Sequence, residues 1–465
     1  MKYKLLYEKF MSWGLLSTLF LFPLLINTAW ISSSDPVHPL IQVNFSFVDV
    51  IIAVCSLLWI INRLIDKNSP PVKLPPAPVL FFIAIGGLSF VNAFSTLEWL
   101  KGLIQWIEYF FLLYLLLANH LQSIKTATVK NILFISTTII MTVAFVQHTL
   151  LDGDPYFVRG FFVNRNIFGT YLCMVIPLIY IEFLTSNRKS RKIWMGALLL
   201  ITYLILLSGS ALLSLLISLT VISWMSGKKV FTRFFISVLI LFAVYPFVMP
   251  AKNITALKEF TGIYEQGSVN ENYYRRLVQI EALGKNTLYA KTFDDKRFMI
   301  SNDDFMQVKL PEIRPGEKYK DMDSKRHIKN RYMEMQASLN MLSENTLLGV
   351  GLGNFQNQIG IYYKELPKIN TAEINRHNGY LIVASTMGIL GLSALLWLFF
   401  LVWKQAKRRF KSGKKDKTVF LGPAGSILAC MIECLFSDLF VASLLTPFIF
   451  IVYLTLKEST TNEIE

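Results

Sequence analysis

The chain has 465 residues, 53% of them hydrophobic and only 17% charged, with a net charge of +15. Soluble domains carry about 25% charged residues. Here the deficit is spread along the chain as repeated apolar runs long enough to cross a bilayer, which excludes a soluble globular protein. The positive balance marks basic loops on one membrane face and not a nucleic-acid partner.

Lysines open the chain and an apolar run follows from about Phe10 to Trp30. That run is too long for a signal-peptide core and is read as a retained first helix. About twelve transmembrane helices are expected, at 10–30, 46–62, 79–95, 99–118, 131–150, 166–184, 193–207, 210–225, 231–249, 378–403, 419–436 and 440–456. Two of the links are very short, Ser208-Gly209-Ser210 and Ser437-Asp438. Cys55, Cys173, Cys430 and Cys434 all fall inside apolar runs and read as packing residues, without disulfide or metal.

One set of loops holds most of the basic residues, among them Arg188, Lys189, Arg191 and Lys192 and the run from Lys404 to Lys417. The short loops of the other set hold Arg159 and Arg165, with Lys101 at a boundary. The first set is therefore read as cytoplasmic, with both termini inside. The chain divides into helices at 1–249, an extracytoplasmic segment at 250–377, and helices with a cytoplasmic tail at 378–465. In the long segment, Tyr273–Leu283 and Arg331–Leu342 have helical spacing, whereas Thr287–Leu310 alternates and carries turn signals, as a β-hairpin or two would.

The polar segment ends on Gly349-Val-Gly-Leu-Gly353, then a polar run, then Arg376-His-Asn-Gly379 leading into an apolar helix. His377 can titrate near neutral pH and act as a base; the plain alternative is an interfacial histidine. Gly349, Gly351 and Gly353 allow tight turns and close backbone approach, and no βαβ context supports a dinucleotide site. Arginine on the outer side runs against the charge bias, so Arg159, Arg165, Arg275, Arg276, Arg331 and Arg376 need local reasons. Guanidinium matches phosphate in a bidentate manner, and two or three converging would clamp a diphosphate; ion pairs with the segment's acids are the alternative. Acids in or near spans are Asp49, Glu98, Glu108, Glu182, Glu433 and Asp438. Glu98 and Asp438 could orient His377 or bind sugar hydroxyls, while Glu182 and Glu433 could sit near span ends or pair between helices. No carboxylate or histidine spacing suits a metal, and no Walker loop occurs, so no cofactor is expected.

Four stretches resemble the O-antigen ligase and polymerase family of bacterial envelope glycan enzymes. Phe161-Phe-Val-Asn-Arg-Asn-Ile-Phe-Gly169 is similar to its Asn-x-Asn element, which places Asn164 and Asn166 as positioning residues. Leu206–Leu212 resembles its small-residue turn, except that Ala211 follows Ser210 where the family often has arginine. Asn345–Phe355 is very similar to its outer-loop motif, and Arg376-His-Asn-Gly-Tyr-Leu with Met387-Gly-Ile-Leu-Gly391 resembles its next helix. The likeness covers roughly residues 150–400, with an apparent insertion around 285–325.

The resemblance implies an all-helical membrane glycosyltransferase fold (GT-C-like) in a bacterial plasma membrane. It implies transfer of a glycan from an undecaprenyl-diphosphate carrier to an acceptor hydroxyl of a glycan or lipid, at the extracytoplasmic face. His377 would take the acceptor proton, with Asn378 beside it. Arg165, Arg275 or Arg276, and Arg331 would hold the diphosphate. Joining repeat units is favoured slightly over ligation to a lipid A core, and other polysaccharide assembly proteins are conceivable partners. A lipid-linked sugar flippase is the rival of another class, but the chain has no repeated halves with broken helices.

Overall fold

The computed structural model describes residues 2–23, 28–29, 44–66, 70–121, 124–150, 158–162, 164–206, 208–248, 277–284, 287–292, 297–301, 323–362, 378–411 and 420–457. His377, Arg275, Arg276 and Arg376 lie outside them.

The expected spans overlap helices, but the first, expected at 10–30, has its helix end at Leu21 and holds a strand at Thr28–Ala29. The first nine are α1 (Lys2–Leu21), α2 (Phe47–Ile65), α3 (Ala77–Leu88), α4 (Thr96–His120, with a π-helical turn at Ile107–Leu113), α5 (Thr126–Leu150), α6 (Arg165–Thr185), α7 (Lys189–Ile205), α8 (Gly209–Ser226) and α9 (Lys228–Val248). After the long segment come α10 (Asp323–Glu344), α11 (Phe355–Tyr362), α12 (Gly379–Lys411), α13 (Leu421–Glu433) and α14 (Ala442–Leu456). Six of these are long and apolar enough to cross a membrane: α2, α4, α5, α6, α8 and α12. α3 with its 3-10 extension, α13 and α14 are apolar but shorter.

The bundle is all-helical and is built around α6, whose residues are buried from Phe168 to Ile181. α13 and α8 lie against it, and α14 closes the same side. Gly169 makes the contact with α8 possible, because a Cβ there would stand 2.9 Å from the Cβ atoms of both Ala211 and Ser208. Ala211, where the resemblance leads one to expect arginine, is thus a packing residue on α6.

The basic end of the bundle is tied by polar contacts between helices. Glu182 on α6 meets Arg191 on α7 at 2.6 Å and Lys130 on α5 at 3.4 Å, which is the interhelical pairing foreseen as one option for it. His120 on α4 reaches Glu8 on α1 at 3.4 Å. Lys457 Nζ donates to the Ile124 carbonyl at 3.0 Å, and Arg409 donates to the Lys457 carbonyl.

One expectation for the long segment fails. The described part of Tyr273–Leu283, from Leu277, is not helical: Leu277–Gly284 is strand β3, the first of an antiparallel sheet with β4 (Thr287–Thr292) and β5 (Arg297–Ser301). Gly284 pairs with Thr287 across a two-residue gap, so the segment closes into a tight hairpin. β-branched Val278 and Ile280 suit a pleated strand, and cross-strand pairing outweighs a short local helical pattern. The β4–β5 pair is the hairpin expected within Thr287–Leu310. Arg331–Leu342 is helical as expected, inside α10. A separate two-residue pair, β1 (Thr28–Ala29) with β2 (Asn44–Phe45), precedes α2.

Candidate functional site

The opposite end of the bundle gathers the motifs. The glycine run lies between α3, α4 and α12. Gly349, Gly351 and Gly353 all have left-handed backbone, with φ of 65°, 97° and 79°. A Cβ on Gly349 would stand 2.3 Å from the Thr386 carbonyl carbon, and one on Gly353 2.3 Å from the Glu98 carbonyl oxygen. Only glycine fits conformations and approaches of this kind.

α12 is built to receive this run. Gly388, with φ of 67°, breaks the helix. In an unbroken helix the Ser385 and Thr386 carbonyls would accept from the amides four residues on. Here they accept from Val350 N at 2.9 Å and Gly351 N at 3.0 Å, while Ile389 N donates to the Thr346 carbonyl at 2.8 Å. The break and the glycine run thus satisfy each other's backbone groups. From the α3 side, Asn92 Nδ2 donates to the Gly349 carbonyl at 2.9 Å and Leu352 N to Ser89 Oγ at 3.0 Å. Ser95 N donates to Asn354 Oδ1 at 2.8 Å. Val350, Phe355 and Ile359 join Ala337 and Met341 of α10 and Ile382 of α12 in a small separate core. The three glycines are positioning elements, and their work is to hold α10 and α11 against α12.

Next to this lies a buried carboxylate. Glu433, at the end of α13, is 0% exposed. Ser210 Oγ and Ser214 Oγ of α8 donate to its two oxygens, each at 3.0 Å. Thr170 Oγ1 of α6 lies 3.4 Å from Oε1 and 3.2 Å from Ser437 Oγ. Asn166 joins through its Oδ1, 3.5 Å from Ser208 Oγ. Asn164 caps α6, accepting from the Asn166 and Ile167 amides at 3.0 and 2.9 Å. That cap sets Arg165 on the first turn of α6.

Arg331 of α10 is close enough to Arg165 and Glu433 for their charges to act on it. Partial burial holds its guanidinium below the usual arginine range and Arg165 adds to this, while Glu334 and Glu433 oppose them. Arginine nevertheless stays protonated. Two guanidinium groups within reach of one another's charge, with Glu433 close by, make a positive pole that can receive an anion with several oxygens.

Asn378 caps the first turn of α12, its Oδ1 accepting from Leu381 N at 3.0 Å. Gly379 N donates to the Cys434 and Ser437 carbonyls at 2.8 and 3.1 Å, on the turn that leaves Glu433. The start of α12 is thereby fixed beside the arginine–glutamate pole.

Residues 194–396 match the family model described as O-antigen ligase. Over this region the chain is similar to the O-antigen ligase family. The matched region spans the glycine run, Arg331 and the broken α12, while Arg165, Thr170 and Glu433 lie outside it in sequence and meet it in space. No curated protein matches the chain.

Of the expected site residues, Arg165 and Arg331 lie within reach of each other's charge, Asn164 and Asn166 at the start of α6 and Asn378 at the start of α12, while the three glycines lie against α3, α4 and α12. Glu433, named only among the acids, turns out to be the centre of the polar cluster, and Thr170, Ser214 and Ser437 were not foreseen. Their signal is polar residues four apart in apolar helices: Asn166 and Thr170, and Ser210, Ser214 and Ser218. Of the other acids, Asp49 accepts from the Tyr109 hydroxyl at 2.6 Å and caps α2, and Glu108 lies in the π-helical turn.

Proposed function

We propose that the chain is a membrane glycosyltransferase that moves a glycan from an undecaprenyl-diphosphate carrier to an acceptor hydroxyl at the extracytoplasmic face of a bacterial plasma membrane. The observation that carries this reading is the buried Glu433, held by Ser210, Ser214 and Thr170 at the end of the bundle where the family's motifs meet, with Arg331 within reach of its charge and of Arg165's. Both termini are placed in the cytoplasm, following the basic loops.

In the proposed step, the acceptor oxygen forms a bond to the anomeric carbon as the bond from that carbon to the phosphate oxygen breaks. The electron pair leaves with the lipid diphosphate, and His377, next to Asn378 in the chain, takes the hydroxyl proton. Negative charge grows on the phosphate oxygens, where fixed guanidinium donors stabilise it. The lipid diphosphate is already an activated leaving group, so no nucleotide enters. Arg275 and Arg276 are further candidates for the clamp. Joining of repeat units is favoured over ligation because the segment between α9 and α12 is long enough to shape a glycan acceptor. Ligation to a lipid A core or another acceptor is the second reading.

The test is purified protein in lipid with undecaprenyl-diphosphate-linked repeat units as sole substrate. A size ladder that disappears in His377→Ala, with that variant inserted normally, is the expected result. Product formed only after a separate acceptor is added would establish ligation instead. A normal ladder from His377→Ala would overturn the base assignment.

A further inference from the structure

A cavity lies beside the glycine run, against the first turns of α12. It has a volume of about 120 Å³ and opens between α4, the glycine run, α12 and the turn after α13. Its floor is apolar, with Trp106 stacked on Phe82 at a centroid distance of 4.2 Å and Phe440 beside both. Its polar groups come from different elements. Glu98, Lys101 and Gln105 lie along one face of α4, and Asp438 comes from the turn between α13 and α14. Three polar side chains at helical spacing on one face of a helix apolar enough to cross a membrane need a reason.

The cavity exists because the glycine run lies flat on α4. Gly353 rests on the Glu98 carbonyl, and a Cβ on Gly102 would stand 3.2 Å from Leu352. The side chains lining it are only partly committed. Glu98 faces Lys101 at 3.7 Å, a loose and half-exposed pair of little energetic weight. Asp438 Oδ1 accepts from the Phe440 amide at 2.8 Å, which fixes that carboxylate in place. The Gln105 amide has no hydrogen-bond partner among the described residues. An apolar floor with a few convergent polar groups is the common build of a small-molecule site. At about 120 Å³ this one is below the usual several hundred, so it takes one end of a larger ligand.

We propose that this cavity binds one sugar ring of the transferred or accepting glycan through its hydroxyl groups, and that it disfavours anionic sugars. Two carboxylates and an amide carbonyl offer acceptors to ring hydroxyls, while Lys101 and the amide nitrogen donate. With two acids against one lysine, a uronate meets like charge. The inference rests on the glycan-transfer reading.

The test uses the full chain in lipid nanodiscs and short, lipid-free fragments of the source cell's own surface polysaccharide, with binding followed by saturation-transfer NMR. The fragments should bind wild type, and Glu98→Gln and Gln105→Ala, each checked for unchanged melting, should each bind at least tenfold more weakly. Arg331→Ala should bind them as wild type does, because the fragments carry no diphosphate. Oligogalacturonate of equal length should not compete. Absence of binding to wild type, undiminished binding to both cavity variants, or competition by oligogalacturonate would overturn the proposal. Glu98-dependent binding without turnover of lipid-linked donor would leave the cavity standing and remove the transfer reading. Turnover without fragment binding would do the reverse.

Discussion

Gly349→Ala should fail to give a stable, active protein. The substitution places a Cβ 2.3 Å from the Thr386 carbonyl carbon, 2.4 Å from Met387 N and 2.5 Å from the Ser385 oxygen, all backbone atoms. It also holds an alanine at φ of 65°, a left-handed conformation that costs roughly 1–2 kcal/mol by itself. Overpacking against atoms that cannot rotate away adds about 1–3 kcal/mol. If the run moves to relieve the clash, the bonds from Val350 N and Gly351 N to the broken helix are lost, and buried carbonyls are left unpaired at about 1–3 kcal/mol each. Strain with the two lost bonds comes to roughly 3–8 kcal/mol, against a whole-domain stability of about 5–15 kcal/mol. Gly87→Ala is the control, since nothing lies within 4 Å of its Cβ; in a helix that change is neutral or mildly stabilising. Melting in detergent separates the two. A Gly349→Ala protein that melts with wild type would show that the run does not lock α12.

Glu433→Gln should keep the fold and lose most of the activity. The amide fills the same space and can still accept from Ser210 or Ser214, so melting should change little. What disappears is the carboxylate whose charge reaches Arg331. Without it the two guanidinium groups repel and settle apart. Displacing preorganised donors of developing charge typically costs about 10²–10³ in rate. Glu433→Ala should lose activity and stability together, because it removes the acceptor shared by hydroxyls of two helices and leaves a cavity, at about 2–4 kcal/mol. Transfer rates and melting curves on both variants check this. A Glu433→Gln enzyme at wild-type rate would make the carboxylate a packing residue only.

The helices were legible because an apolar run long enough to cross a bilayer needs no partner to be recognised. The glycine run was legible as a close approach, but not what it approaches. Its counterpart is the break at Gly388, about a helix away, and the two explain each other only once Val350 and Ser385 are seen to pair. Tyr273–Leu283 misled because its local spacing suits a helix while its strand partner, Thr287–Thr292, decides the outcome. Arg165 and Arg331 could be named by residue type and side of the membrane. Glu433 could be listed but not placed, because its ligands Thr170, Ser210 and Ser214 sit on two other helices and look individually like ordinary small polar residues. His377, Arg275 and Arg276 lie outside the described residues.

The central claim is that the arginine pair near Glu433 carries the diphosphate of a lipid-linked glycan. The most direct measurement is release of lipid diphosphate from undecaprenyl-diphosphate-linked glycan by the purified chain in bilayers, wild type against Arg331→Ala and Arg331→Lys. The account predicts a loss of at least about a hundredfold in Arg331→Ala, with Arg331→Lys also poor because a point charge does not replace a planar fork. Release by Arg331→Ala at close to the wild-type rate would contradict it.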